Sequence, residues 1–168
     1  CTLTVRVHVP VFVHRQLMTH RTLSKNSESG RYKELEPVFY RPSNNRPIIN
    51  EGSGAHPKLQ PGWEDQIDGV QTFHEHIANF SWQLYERSIA DGIATEVARN
   101  VLPVSIYTSA YLTGNLLSWF NFLRLRNGNQ GHPQFEIVEV AKKVEAIIEE
   151  LYPVTYNAWK GVQKSTRS

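Results

Sequence analysis

Between His14 and Lys33 the chain carries five Lys or Arg residues (Arg15, Arg21, Lys25, Arg31 and Lys33) against one acid, Glu28. Interleaved with them are His14, His20 and a run of hydroxyl and amide donors: Gln16, Thr19, Thr22, Ser24, Asn26, Ser27 and Ser29. Guanidinium groups and the backbone N–H groups of a Ser/Gly loop are what a phosphate needs, since its charge is met best by bidentate donors and oriented dipoles. A solvated basic face or a nucleic-acid contact uses the same residue types, and composition leaves the three open. A second group lies downstream. On a helix, Asn115, Ser118 and Asn121 form a polar stripe beside the apolar Leu116, Leu117, Phe120 and Leu123. That stripe is either a solvated face or a polar wall for a heteroaromatic ligand.

Other chemistries are disfavoured. His74 and His76 lack the H-E-x-x-H spacing that puts two imidazoles on one helical face, so no metal site is expected. Lys164-Ser165-Thr166 resembles the end of a phosphate-binding loop but lacks its glycine spacing and its following helix. Asn79-Phe80-Ser81 is a glycosylation sequon inside a helical stretch. With no Cys/His pair and no G-x-S-x-G elbow, a self-contained hydrolase is not expected.

The elements that must position these residues follow from periodicity. Leu3, Val5, Val7 and Val9 alternate with polar residues, so residues 2–9 predict a half-buried strand. Pro10 suits the start of a short helix over 11–21, with Val13, Leu17 and Met18 as its apolar stripe. Residues 22–32 read as a polar loop, and the proline- and glycine-rich 41–62 as an excursion without regular structure. Beyond Trp63, Ile67, Val70, Phe73, Ile77, Phe80, Leu84 and Ile89 recur at helical spacing, with Gly92 as the stop. A short helix follows from Thr95. Another is predicted from Thr113 to Arg126, closed by Asn127-Gly128, and a last one from about Pro133 to Leu151, stopped by Pro153. Residues 160–168 read as a frayed tail.

At 168 residues, with 40% hydrophobic and 20% charged residues, the composition excludes a wholly disordered chain, a collagen-like rod and a coiled-coil rod, and predicts a single domain over 1–168. A net charge of +2 is too small for a general polyanion binder, so any anion site must come from local clustering. One cysteine, Cys1, excludes an internal disulfide and fits a reducing compartment, with the cytoplasm as the default location. No stretch approaches the roughly 18 apolar residues of a membrane span, so no membrane partner is expected. The chain opens within a strand pattern, as a fragment or shortened version of something longer would.

The order of these segments resembles the flavin-dependent thymidylate synthase (ThyX) family. Its signature reads in outline P-x-F-V-x-R-Q-x-x-R-H-R-x-x-S-x-N-x-x-S-x-R-Y, and Pro10 to Tyr32 here read PVFVHRQLMTHRTLSKNSESGRY. A second block matches downstream: E-V-A-R-x-x-L-P at Glu96 to Pro103, Tyr107-Thr108, an Asn-led helix from Asn115 to Arg126, and Gln134 to Ile137. The similarity covers about residues 3–153. It implies an α+β fold in which an antiparallel sheet packs with long helices, here without the N-terminal part of the family domain. It also implies a homotetramer with shared active sites.

The activity implied is reductive methylation of dUMP to dTMP, with FAD as cofactor and NADPH and methylenetetrahydrofolate as co-substrates. By position, Arg126 looks like the catalytic arginine that activates the pyrimidine. Gln16, Thr19, Ser29, Gly30, Arg31 and Arg99, with Arg126, look like the dUMP-binding residues. Thr19, His20, Arg21, Asn115, Leu117 and Asn121 fall on FAD-contacting positions, Ser24 on a positioning serine, and His132 near another family histidine. The chain departs from the pattern in five places, two of them being Leu117, where a polar or basic residue is common, and the family's preceding segment with a His and Ser near the flavin, expected to be absent here at a cost in flavin affinity. Thr19 replaces the first arginine of Arg-His-Arg, leaving Lys25 or His14 to compensate. Ser27 stands where Glu is common, and Gln130-Gly131 belong to a short insertion. These departures leave two alternatives within the family, a relative that makes another C5-modified pyrimidine nucleotide and one that binds nucleotide or flavin without turnover. A nucleic-acid-binding module is the alternative from another class, and nucleic acid is not the expected partner.

Overall fold

A computed structural model describes residues 1–31, 34–54, 56–128 and 133–165. Its elements are β1 (Thr2–Pro10), α1 (Val11–Met18), β2 (Ser24–Ser27), β3 (Ile49–Asn50), β4 (Leu59–Gln60), α2 (Glu64–Ala90), α3 (Thr95–Ala98) leading into a 3-10 turn (Arg99–Val101), β5 (Tyr107–Asn115), α4 (Leu116–Arg126), α5 (Phe135–Leu151) and α6 (Pro153–Ser165). Three strands form a sheet in the order β1-β5-β2. Thr4 Oγ1 meets Thr113 Oγ1 at 2.8 Å and His8 Nδ1 meets Ser109 Oγ at 3.1 Å. One residue number rises as its partner falls, so β1 and β5 run antiparallel. The mixed α+β class is as the sequence implies.

The chain divides into two compact units. The first comprises Cys1–Val5, His20–Ser24 and Leu112–Ser168. Its core holds Leu112, Trp119, Phe122, Leu123, Ile137, Ala141, Val144 and Ile148, all almost fully buried. The spacing of the last four puts them on one face of α5, as their periodicity predicts. Trp119 Nε1 donates to the Leu3 carbonyl at 3.1 Å, which satisfies the indole N–H inside the core. α4 begins at Leu116 rather than Thr113, because the Asn115 side chain accepts the Ser118 N–H at 2.8 Å and caps the helix there. Residues 113–115 are therefore strand. The tail is also more ordered than predicted. α5 stops at Leu151, as Pro153 predicts, and Pro153 then opens α6, a first-turn position that needs no N–H. Trp159 stacks on Phe120 (centroids 4.7 Å apart, planes at 6°), and Lys160 and the Tyr156 hydroxyl both bond Glu145 Oε1. Residues 166–168 lie outside the described residues.

The second unit comprises Arg6–Thr19 and Lys25–Tyr111. α2 ends as Gly92 predicts: its φ of 79° lies in the left-handed region, and Gly92 and Ile93 N–H reach the Ile89 and Ser88 carbonyls at 3.0 and 2.9 Å. The face that α2 buries is not the expected one. Gln71, Ala78, Ser81 and Tyr85 are buried, whereas Phe73, Ile77, Phe80 and Leu84 are exposed by 69, 55, 61 and 42%. Gln71 is satisfied by Arg41, the Pro42 carbonyl and Asn44, and so anchors the 41–62 segment. That segment is not wholly irregular, since β3 and β4 pair antiparallel within it; Ser24–Ser27 of the predicted polar loop are likewise strand, β2, beside β5 in the sheet.

Candidate functional site

α1 and the approach to β5 are locked together at the mouth of a cleft in the second unit. The first amides of α1, which have no partner inside the helix, are taken by the strand side: Val11 N–H by the Ile106 carbonyl (2.9 Å) and Phe12 N–H by the Val104 carbonyl (3.1 Å). The cleft encloses about 420 Å³. Its apolar wall is Val11, Leu35, Leu102, Pro103, Val104 and Ile106, and its polar lining is His14, Glu28, Arg99, Asn100, Tyr107 and Thr108, with Gly30. An apolar wall with a few convergent polar groups is the usual make-up of a small-molecule site.

Of the predicted nucleotide residues in this unit, Gly30 and Arg99 line the cleft, and Gln16, Thr19, Ser29 and Arg31 stand outside its lining. Arg99 is half-buried at the start of the 3-10 turn, and its guanidinium makes no hydrogen bond or ion pair among the described residues. A guanidinium left so is available to an anion. Arg31 is held on α3: Nε and Nη2 lie 3.1 and 3.0 Å from Glu96 Oε2, and its carbonyl accepts from Thr95 Oγ1 at 2.6 Å. The Thr19 hydroxyl donates to the Gln16 carbonyl at 2.7 Å, closing the C-terminus of α1.

Neither residue named to offset the missing arginine is a spare cation. Lys25 Nζ donates to the Met18 carbonyl at 2.7 Å. His14 Nε2 lies 2.9 Å from Ser27 Oγ, and burial first, then the Lys25 ammonium, pull its pKa below the ordinary 6.5. His14 therefore faces the cleft as a neutral hydrogen-bonding ring. Sequence reasoning gave no site role to Glu28, Asn100, Tyr107, Thr108 or Thr95. Tyr107-Thr108 sat in a recognised motif, which was the available signal.

The first unit brings another pair together. Arg126 is the last residue of α4, and its Nε donates to His20 Nε2 at 3.1 Å. A guanidinium N–H can only donate, so Nε2 is the acceptor and the ring proton sits on Nδ1. His20 is itself only 9% exposed, and Phe122 presents a T-shaped contact to its ring at 4.9 Å. Asn115 spends its side-chain oxygen on the α4 cap. Leu117 and Asn121, four residues apart on α4, are exposed, as is Arg21. Ser118 of the predicted polar stripe is buried in the helix face. Tyr32, Gln130-Gly131 and His132 lie outside the described residues. Among the described residues no three His, Cys, Asp or Glu side chains are grouped to hold a metal, and no helix is long and apolar enough to cross a membrane.

Residues 1–154 match the family model described as thymidylate synthase complementing protein. The flavin-dependent thymidylate synthase of Tropheryma whipplei (strain TW08/27) is 37% identical over 163 residues, 94% of this chain and 68% of that protein. The Streptomyces avermitilis protein of the same name is 38% identical over 164 residues, 94% of this chain and 67% of that one. Among solved structures, the UMP/dUMP methylase PolB from Streptomyces cacaoi, bound with 5-Br UMP, superposes with a TM-score of 0.93 at 36% identity, covering 95% of this chain and 74% of that one. Its complex with 5-Br dUMP gives a TM-score of 0.87.

Proposed function

Because the chain belongs to the flavin-dependent thymidylate synthase family, we propose that it is the methyltransferase that converts dUMP to dTMP. The observation that carries this reading is Arg126, a permanent cation whose direction is fixed at the end of α4 by a buried, hydrogen-bonded His20. Pyrimidine C5 becomes nucleophilic as negative charge develops across the ring, and a preorganised guanidinium lowers that barrier electrostatically. Arg99 and the Gly30 loop, on the cleft of the second unit, hold the nucleotide by its phosphate and sugar, with Gln16, Thr19, Ser29 and Arg31 as supporting groups.

The donor set on the first unit fits FAD: exposed Arg21 for a diphosphate, Asn121 for ring amide edges and exposed Leu117 for an apolar ring face. When bound, the flavin supplies the hydride; NADPH as its reductant and methylenetetrahydrofolate as the one-carbon donor belong to the same proposal. What the chain's own residues do is orient the reactants and fix charge. Self-association as a homotetramer is part of this reading and is supported by the exposed Phe73, Ile77, Phe80 and Leu84 on one face of α2. So is a cytoplasmic location, supported by the single cysteine.

A second substrate reading is favoured by the likeness to PolB, a UMP/dUMP methylase: this chain also methylates the ribonucleotide. The experiment is dUMP-dependent NADPH oxidation by the flavin-loaded protein with methylenetetrahydrofolate, with UMP in a parallel reaction and products weighed by mass spectrometry. Formation of dTMP is expected, and its loss in Arg126→Ala with the fold retained. Turnover by Arg126→Ala at the wild-type rate would remove Arg126 from the mechanism.

A further inference from the structure

α3 is a single helical turn whose cap residue, Ala94, has no side chain to accept its first amides; the Val97 and Ala98 N–H groups reach the Ala94 carbonyl instead, at 2.9 Å each. The hydroxyl of Thr95, the first residue of the turn, does not serve its own helix. It donates to the carbonyl of Arg31, 64 residues away in sequence, at 2.6 Å. Glu96, the next residue, takes the Arg31 guanidinium at 3.0 Å. The head of α3 thus holds Arg31 by main chain and side chain together. The two grips differ in kind. The ion pair is half-exposed at both ends and screened by solvent, so it tethers the side chain loosely. The hydroxyl bond is short and fixes the backbone that immediately follows Gly30.

What makes this more than a local fastening is the other end of the same turn. Four residues after Thr95, Arg99 enters the cleft, and Gly30, one residue before the tethered carbonyl, lines it too. Gly30 is buried, and a Cβ there would press on Leu35 at 3.0 to 3.3 Å, so the loop already sits close against its neighbours. We propose that Thr95 is a positioning residue for the nucleotide: its hydroxyl latches the Gly30–Arg31 backbone to α3, so that Gly30 and Arg99 meet the ligand at a fixed separation. The role rests on the reading of the cleft as the nucleotide site. A loop ordered before the ligand arrives spares the complex the cost of ordering it, so the latch raises affinity and leaves the chemical step alone.

Thr95→Val removes the hydroxyl at nearly constant shape, and Thr95→Ser keeps it. In the full chain, amide hydrogen exchange at Ser29–Arg31 without nucleotide, dUMP Kd by calorimetry, and kcat and KM for dUMP are compared. For the loss of one net hydrogen bond, Thr95→Val should speed exchange at 29–31 and raise Kd and KM by about two- to tenfold, with kcat unchanged. Thr95→Ser should match the wild type. Wild-type exchange in Thr95→Val overturns the latch. Faster exchange with unchanged Kd overturns the positioning role, as does a fall in kcat that parallels the rise in KM, or failure of Thr95→Ser to restore binding. A wild-type chain that binds no dUMP, while Thr95→Val still loosens 29–31, overturns the nucleotide reading and the role with it; a failed latch differs, since there the wild type binds dUMP.

Discussion

Two histidines, His20 and His14, do different work. His20 accepts from Arg126 and so fixes the direction of a cation; lysine at 126 keeps the charge but loses the Nε–H and the planar fork. Arg126→Lys is therefore expected to lower kcat by about 10² to 10³, the usual cost of losing one aimed donor, with the circular dichroism spectrum unchanged. His14 is held below its ordinary pKa of 6.5 by burial and then by Lys25. Well above pH 6.5 the imidazole is neutral in folded and unfolded chain alike, and it contributes no pH dependence. As pH falls below 6.5 the unfolded chain takes up a proton that the folded chain resists, so stability falls with acid down to the lowered folded pKa. Urea midpoints for wild type and His14→Asn should agree in their pH slope above 7 and diverge between 6.5 and 5, the variant being flatter. Parallel slopes throughout would mean that His14 titrates normally.

At the level of elements, β5 runs directly into α4, and the packing around their junction sets what is tolerated there. A Cβ on Gly114 would stand 2.5 Å from Leu23 Cδ2 and 3.2 Å from Ser118 Cβ, both on buried residues. Gly114→Ala should cost about 1 to 3 kcal/mol, read as a lowered urea midpoint; an unchanged midpoint would show that Leu23 has room to move. The same junction shows what sequence could and could not convey. Leu3, Val7 and Val9 declared β1 through alternation, and Ile137, Ala141, Val144 and Ile148 declared α5, because burial within the chain imposes those periods. β5 is not legible in the sequence because Tyr107–Asn115 carries small and polar residues at most positions, and the helical pattern of 116–126 runs back over its last three residues, 113–115. α6 is hard to read for a related reason: Pro153 stops one helix and starts another, and what separates a docked helix from a tail is contacts with residues distant in sequence, the Trp159–Phe120 stack and the Tyr156 and Lys160 bonds to Glu145. Within the site, Arg99 and Gly30 were legible from their motifs. The Thr95 and Ser27 contacts depend on residues distant in sequence or on a departure from the pattern.

For the molecule as a whole, the apolar stripe of α2 is the feature a single chain does not explain. Its buried face carries Gln71, Ala78, Ser81 and Tyr85, while Phe73, Ile77, Phe80 and Leu84, at helical spacing, meet solvent. Trp63, just before the helix, is exposed by 80%. Monomeric proteins rarely leave so continuous an apolar face uncovered, because each large side chain withdrawn from water contributes about 1.5 to 3 kcal/mol. The proposed homotetramer would cover it with a second copy of the chain, since a closed symmetric assembly buries one patch on every subunit. Phe80→Asp, at the middle of the stripe and remote in sequence from every proposed ligand residue, should then convert the protein to a smaller species by light scattering. Because its side chain is already 61% exposed within the chain, folding of the single chain should survive the change. Retention of wild-type mass by Phe80→Asp would place the assembly contact elsewhere. A smaller species that keeps dUMP affinity and loses turnover would show that the cleft of one chain suffices for binding and that catalysis needs the assembly.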